Sequence, residues 1–189
     1  MIRFQRLSTT KLFKYRSSAL DPQKQIDVLV KRRIEISISN QCLTIMDNQK
    51  QIRCYRISTA KNGGGEVIGS GCTPRGLHSI RAKIGERCEK DAVFVGRRPT
   101  REIYSPALND KFPDRDWILT RILWLCGCAP GKNRFGSVDT LRRYIYIHGC
   151  PDSEPMGVPL SHGYVRMHTA DIVELFELIE IGTPVDIYE

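Results

Sequence analysis

Three features of the sequence predict a mainly β domain of the α+β class that closes on a single C-terminal helix. Ile34-Glu-Ile-Ser-Ile-Ser39 alternates apolar and polar residues with period two, as a half-buried strand does. Tyr144-Ile-Tyr-Ile-His-Gly149 is rich in β-branched and aromatic residues, which fit a pleated surface. Only near the end does a clear helical period appear, with Ile172, Val173, Leu175, Phe176 and Ile179 on one face. At 189 residues the chain is long enough for one domain with a proper core and too short for two large ones.

Residues 1–33 read as a basic, flexible leader, with Asp21-Pro22 as a turn signal, and residues 34–189 as the domain. After the first strand, Leu43-Thr-Ile-Met46, a turn at Asp47-Asn48 and the return from Ile52 to Ser58 outline a hairpin. Asn62-Gly-Gly-Gly65 and Gly69-Ser-Gly71 are loops, and Thr73-Pro-Arg-Gly76 is a further turn. Ala92-Val-Phe-Val-Gly96 is a short buried strand, whereas the apolar stretch from Trp117 to Cys126 fits either a helix or a strand. Thr169 is placed to cap the final helix, and Asp171 suits its first turn. Gly182 and Pro184 end it, and Val185-Asp-Ile-Tyr188 follows as a last strand.

The net charge of +8 raises the question of a nucleic-acid partner, so its distribution matters. Nine Lys and Arg lie within residues 1–33 against Asp21 and Asp27, so nearly the whole excess sits in the leader. A neutral body with a basic arm argues against nucleic acid as the main partner. The leader has no continuous apolar core of the kind a secretion signal needs, which taken literally leaves the protein in the cytoplasm. No apolar run is long enough to span a bilayer. Seven cysteines without a CxxC pair offer no four-ligand metal site, so no metal is expected. The glycine loops, not set between a clear strand and a helix, are weak phosphate-binding fingerprints, so no cofactor is expected either. His78 and His168 stand alone and are expected to be structural, and Trp117, Trp124 and Tyr144 to line core or groove.

Chemistry-bearing residues concentrate in two segments, Tyr146-Ile147-His148-Gly149-Cys150 and Ser161-His162-Gly163-Tyr164-Val-Arg166-Met167. Amide transfer needs a nucleophile, a base within hydrogen-bond reach, a group orienting that base, and donors for the oxyanion. The IHG at 147–149 followed by SHG at 161–163 and Arg166 resembles the L,D-transpeptidases, cysteine acyltransferases of bacterial peptidoglycan. Ser58-Thr-Ala-Lys-Asn62, Gly71-Cys-Thr-Pro-Arg-Gly76, Ile118–Trp124 and Gly182-Thr-Pro-Val185 carry the same resemblance from about Ile34 to Tyr188.

The resemblance implies a mixed β-sandwich with a C-terminal helix. It also implies acyl transfer through a cysteine thioester, giving 3→3 stem-peptide crosslinks or L,D-carboxypeptidase action, and peptidoglycan stem peptides as partners in the cell envelope. In that scheme His148 is the base and the Gly149 carbonyl orients it. His162 supports the tetrahedral intermediate, and backbone around Gly163 and Tyr164, after Ser161, forms the oxyanion hole. Arg166 holds the loop or a substrate carboxylate.

Tyr164 stands where the family keeps its nucleophilic cysteine. A phenol is almost wholly protonated near neutral pH, and its bulk fills the space a thiolate would leave open. Cys150 offers a substitute, because period two puts it on the face of His148 and a neighbouring imidazole can activate a thiol. The expectations are therefore a nucleophile displaced to Cys150 or a nucleophile lost. The second makes the chain a peptidoglycan-binding pseudoenzyme.

Overall fold

A computed structural model describes residues 32–189. The proposed leader lies outside the described residues except for Arg32 and Arg33, which already belong to the first strand. Among the described residues ten strands form one sheet: β1 (Arg32–Ser37), β2 (Cys42–Asp47), β3 (Lys50–Arg56), β4 (Gly76–Ile84), β5 (Ala92–Val95), β6 (Arg98–Ile103), β7 (Ile118–Gly127), β8 (Tyr146–Cys150), β9 (Val165–His168) and β10 (Pro184–Tyr188). Two helices accompany them, α1 (Pro106–Lys111) and α2 (Thr169–Leu178).

The main path runs β3-β2-β1-β10-β4-β7-β5-β6, and β8 and β9 branch from β7. β7 therefore carries strands on both edges: β4 and β5 on one, β8 on the other. The ambiguous stretch from Trp117 to Cys126 resolves as this central strand. Its residues are buried on both faces, which hides the alternation that marks a half-exposed strand. β9 pairs parallel with β8, and its Arg166 backbone exchanges hydrogen bonds with Ser58 at 2.9 and 3.0 Å, so the sheet curls back toward β3.

The pleat of β7 and β8 sorts side chains between two cores. Leu123, Leu125, Ile145 and Ile147 enter the main core under α2, where Ile172, Leu175 and Phe176 meet Ile34, Ile36, Leu43 and Ile45. The alternate residues Ile122, Trp124 and Tyr146 face a second cluster with Phe94 and Ala92. His148 follows the same alternation, so the register that builds the core also points the imidazole into the second cluster.

Two boundaries differ from expectation. The residue capping α2 is His168 rather than Thr169, and its side chain makes no capping bond; the Thr169 amide is instead taken by the Asp152 carboxylate at 3.1 Å. The helix also ends at Leu178, before Gly182, whose φ of 92° serves the turn into β10. A long-range carboxylate and a tertiary turn did what local caps were expected to do.

Candidate active site

The two motif segments lie side by side. In the β8–β9 ladder Ile147 is opposite Val165 and His148 opposite Arg166, which converges the residues separated by about a dozen positions in sequence. Gly149 is required where β8 crosses β7, because a Cβ there would sit 2.7 Å from the Leu119 carbonyl oxygen. Thr120 beside it has a φ of 68°, at an irregularity in the β7–β8 register. A β-branched residue in that region is strained, and strain of this kind gathers near functional sites.

The loop before β9 is clamped on several sides. Ser161 pairs with Ala60 by a bridge, and its hydroxyl donates to the Tyr164 carbonyl at 2.6 Å. Thr73 donates its hydroxyl to the Gly163 carbonyl at 3.2 Å. Gly163 has a φ of 112°, which suits glycine alone. These contacts hold the backbone on either side of residue 164 whatever its side chain.

His148 is fully buried, and its Nδ1 lies 2.9 Å from the Gly149 carbonyl oxygen. A carbonyl only accepts, so the proton sits on Nδ1 and Nε2 is the free acceptor. Burial pushes the imidazole down to about 4, against the smaller pull of the Gly149 carbonyl, so the ring is neutral at pH 7. Nε2 is buried with no hydrogen-bond partner. The Tyr164 ring stands against the imidazole edge-to-face, with centroids 5.3 Å apart, and stacks on Tyr146 at 4.9 Å with an interplanar angle of 8°. Burial and then Tyr146 push the Tyr164 hydroxyl further up from its already weakly acidic value, which disfavours the phenolate.

Cys150 departs from its expected surroundings. Partial solvent access and thiolate character were anticipated, yet it is 1% exposed and its thiol points to the Met167 carbonyl at 3.4 Å. Burial pushes it up to about 12 in spite of Arg166. Sequence proximity to His148 places the two on one strand, but the parallel neighbour β9 seals the end that was expected to open. Iodoacetamide near neutral pH should therefore label Cys150 more slowly than the exposed Cys54, read by peptide mass spectrometry. Fast labelling of Cys150 would mean that this end of β8 opens in solution.

Arg166 does not present itself to a ligand. Only 8% exposed, it pairs with Asp116 Oδ1 at 2.8 Å and with Glu154 at 3.6 Å, so it holds the loop, and its Nε is buried without a partner. His162 is exposed and lies 3.3 Å from Asp116 Oδ2 through Nδ1. Burial pushes the Asp116 carboxyl up, but Arg166, His148 and His162 together bring it below its ordinary value. Asp116 thus ties the segment before β7 to both motif residues. It lay in a turn-rich stretch with no spacing signal, and sequence reasoning missed it. Tyr146, the platform under Tyr164, opened the first motif segment but was given no role.

The remaining histidines and aromatics are placed largely as expected. His78 is buried between the Gly76 carbonyl and Thr140, and His168 meets the Glu154 carbonyl, so both are structural. Trp117 belongs to a third cluster with Val93 and Leu119, its ring N–H donating to Asn109 at 2.8 Å. Among the described residues no helix is long and apolar enough to cross a membrane.

No curated protein matches the chain. Among solved structures it is similar to an L,D-transpeptidase from Mycobacterium smegmatis, at 17% identity and a TM-score of 0.50, over 84% of this chain and 59% of that one. It is also similar to L,D-transpeptidase 3 from Mycobacterium tuberculosis, solved with a faropenem-derived adduct, at 17% identity and a TM-score of 0.52, over 84% and 60%. The chain thus spans about three-fifths of the length of these structures, and at such identity they establish the shared fold. The family model for the L,D-transpeptidase catalytic domain matches residues 31–187, and with the fold and the two converging motifs in agreement, the chain belongs to that family.

Proposed function

We propose that this chain is a peptidoglycan-binding member of the family that does not carry out thiol acyl transfer. The observation that carries the reading is the Tyr164 ring, which packs edge-to-face against the His148 imidazole while Nε2 is left without a hydrogen-bond partner. Crosslinking and L,D-carboxypeptidase action both need a thiolate at that imidazole. Cys150 is a poor substitute because its thiol is buried, held protonated and directed at the β9 backbone. The clamped loop, neutral His148 and exposed His162 support a groove that still receives stem peptides, the partner class of the family in the cell envelope.

The test combines binding and turnover on the unaltered protein. A tetrapeptide stem ending in D-alanine should bind by titration calorimetry, and no D-alanine should be released on long incubation. Release of D-alanine that disappears in Cys150→Ser would replace this reading with an enzyme whose nucleophile has moved to Cys150. Absence of any binding to stem peptides would remove peptidoglycan as the ligand.

A further inference from the structure

The hairpin joining β5 and β6 turns on Gly96 and Arg97, with φ values of 54° and 66°. Positive φ at both central residues is the type I′ geometry that suits a two-residue hairpin, and its second position favours glycine. Arg97 is held there at a steric cost, so its side chain must be worth keeping. Its guanidinium lies 4.6 Å from the Trp124 ring centroid and 4.4 Å from that of Tyr144. Tyr144 is itself in the left-handed region, at a φ of 59°, and its ring is 6.1 Å from Trp124. Two strained residues from different parts of the chain thus meet to fix one cation.

A guanidinium laid flat on aromatic faces keeps its edge N–H donors free, and stacking immobilises the fork in advance of any ligand. Among the described residues Arg97 forms no ion pair and no side-chain hydrogen bond, unlike Arg166, Arg115 and Arg75, which all meet carboxylates. The place matters as well. Trp124 is opposite Tyr146 in the β7–β8 ladder, Tyr146 stacks on Tyr164, and Trp124, Tyr146 and Tyr164 share one cluster. The stacked cation therefore sits beside the aromatic cluster that packs against the buried His148, where the groove proposed above would lie. Arg166 is buried and paired with Asp116, whereas Arg97 is half-buried and its donors are free, among the described residues, to receive an anionic ligand.

We propose that Arg97, stacked on Trp124 and Tyr144, is the carboxylate-binding residue of this groove and selects stem peptides with a free carboxylate over amidated ones. This rests on the peptidoglycan reading above. Bidentate pairing between the planar fork and a carboxylate supplies both the affinity and the geometric selection.

The experiment uses the whole chain and one tetrapeptide stem prepared as the C-terminal free acid and as its amide. Wild type should bind the acid about tenfold or more tightly than the amide, the range expected for a charged hydrogen-bonded pair. Arg97→Gly should bind both equally and weakly, so that amidation and substitution do not add. This variant relaxes the turn, so its melting temperature should not fall, and lost binding cannot be ascribed to unfolding. Equal wild-type affinity for acid and amide, or an unchanged preference in Arg97→Gly, would overturn the assignment and leave the stack a purely structural device. If wild type binds neither peptide, the peptidoglycan reading fails and this inference falls with it.

Discussion

Tyr164→Cys should turn a protein that a carbapenem leaves unmodified into one that gains a single covalent adduct, seen by intact-mass spectrometry. Carbapenems are the β-lactams that resemble the acyl-enzyme chemistry of this family. The backbone of residue 164 is held by Ser161 and Thr73 through contacts that do not involve its side chain, so the new thiol would replace the ring that packs against the His148 imidazole. The imidazole is neutral and oriented by the Gly149 carbonyl, the state in which it can accept a proton. Adding His148→Ala to that variant should slow acylation about 10²–10⁴-fold, the usual worth of a positioned base. Loss of the Tyr146–Tyr164 stack should cost the single variant about 0.5–1.5 kcal/mol of stability, which leaves it folded. A folded variant with no adduct would show that more than the nucleophile has been lost.

Phe176→Ala should destabilise the domain by about 3–5 kcal/mol, measured by urea unfolding, with little change in the slope of the transition. Phe176 is 1% exposed in the main core under α2, and Lys83 Nζ lies 4.5 Å from its ring centroid. Its removal leaves a cavity in the core that α2 shares with the sheet, and paired strands cannot close over it without disturbing their ladders. A loss below about 1 kcal/mol would mean that α2 repacks freely. The helix that dominates the sequence pattern would then contribute little to holding the sheet.

Much of the β framework was legible because it leaves one-dimensional signals. Period two marked β1, β-branched density marked β8, and turn residues marked the hairpin between β2 and β3. The motif segments around His148 and Ser161–Arg166 were visible as text, and their pairing in β8 and β9 followed the expectation that they converge. Central β7 was not assignable, because a strand buried on both faces loses its alternation. The cap of α2 was misplaced because its donor is satisfied by Asp152, seventeen residues away.

At the site, the sequence by itself determined which chemical groups are present: a histidine base with its glycine carbonyl, a second histidine, an arginine, and a tyrosine in place of a thiol. Only the tertiary structure decided what each group can do, because acidity, access and partnership depend on neighbours distant in the chain. β9 closes over Cys150 and burial holds its thiol protonated, although the imidazole is two residues away. Asp116, which no spacing rule picks out, pairs with Arg166 and ties it to the segment before β7. Arg97, unremarkable in a run of hairpin residues, becomes a stacked cation without an ion pair among the described residues because two distant aromatic rings meet beneath it. Residue identity sets the repertoire of charges and nucleophiles, whereas desolvation and geometry, which are properties of the packed chain, select among them.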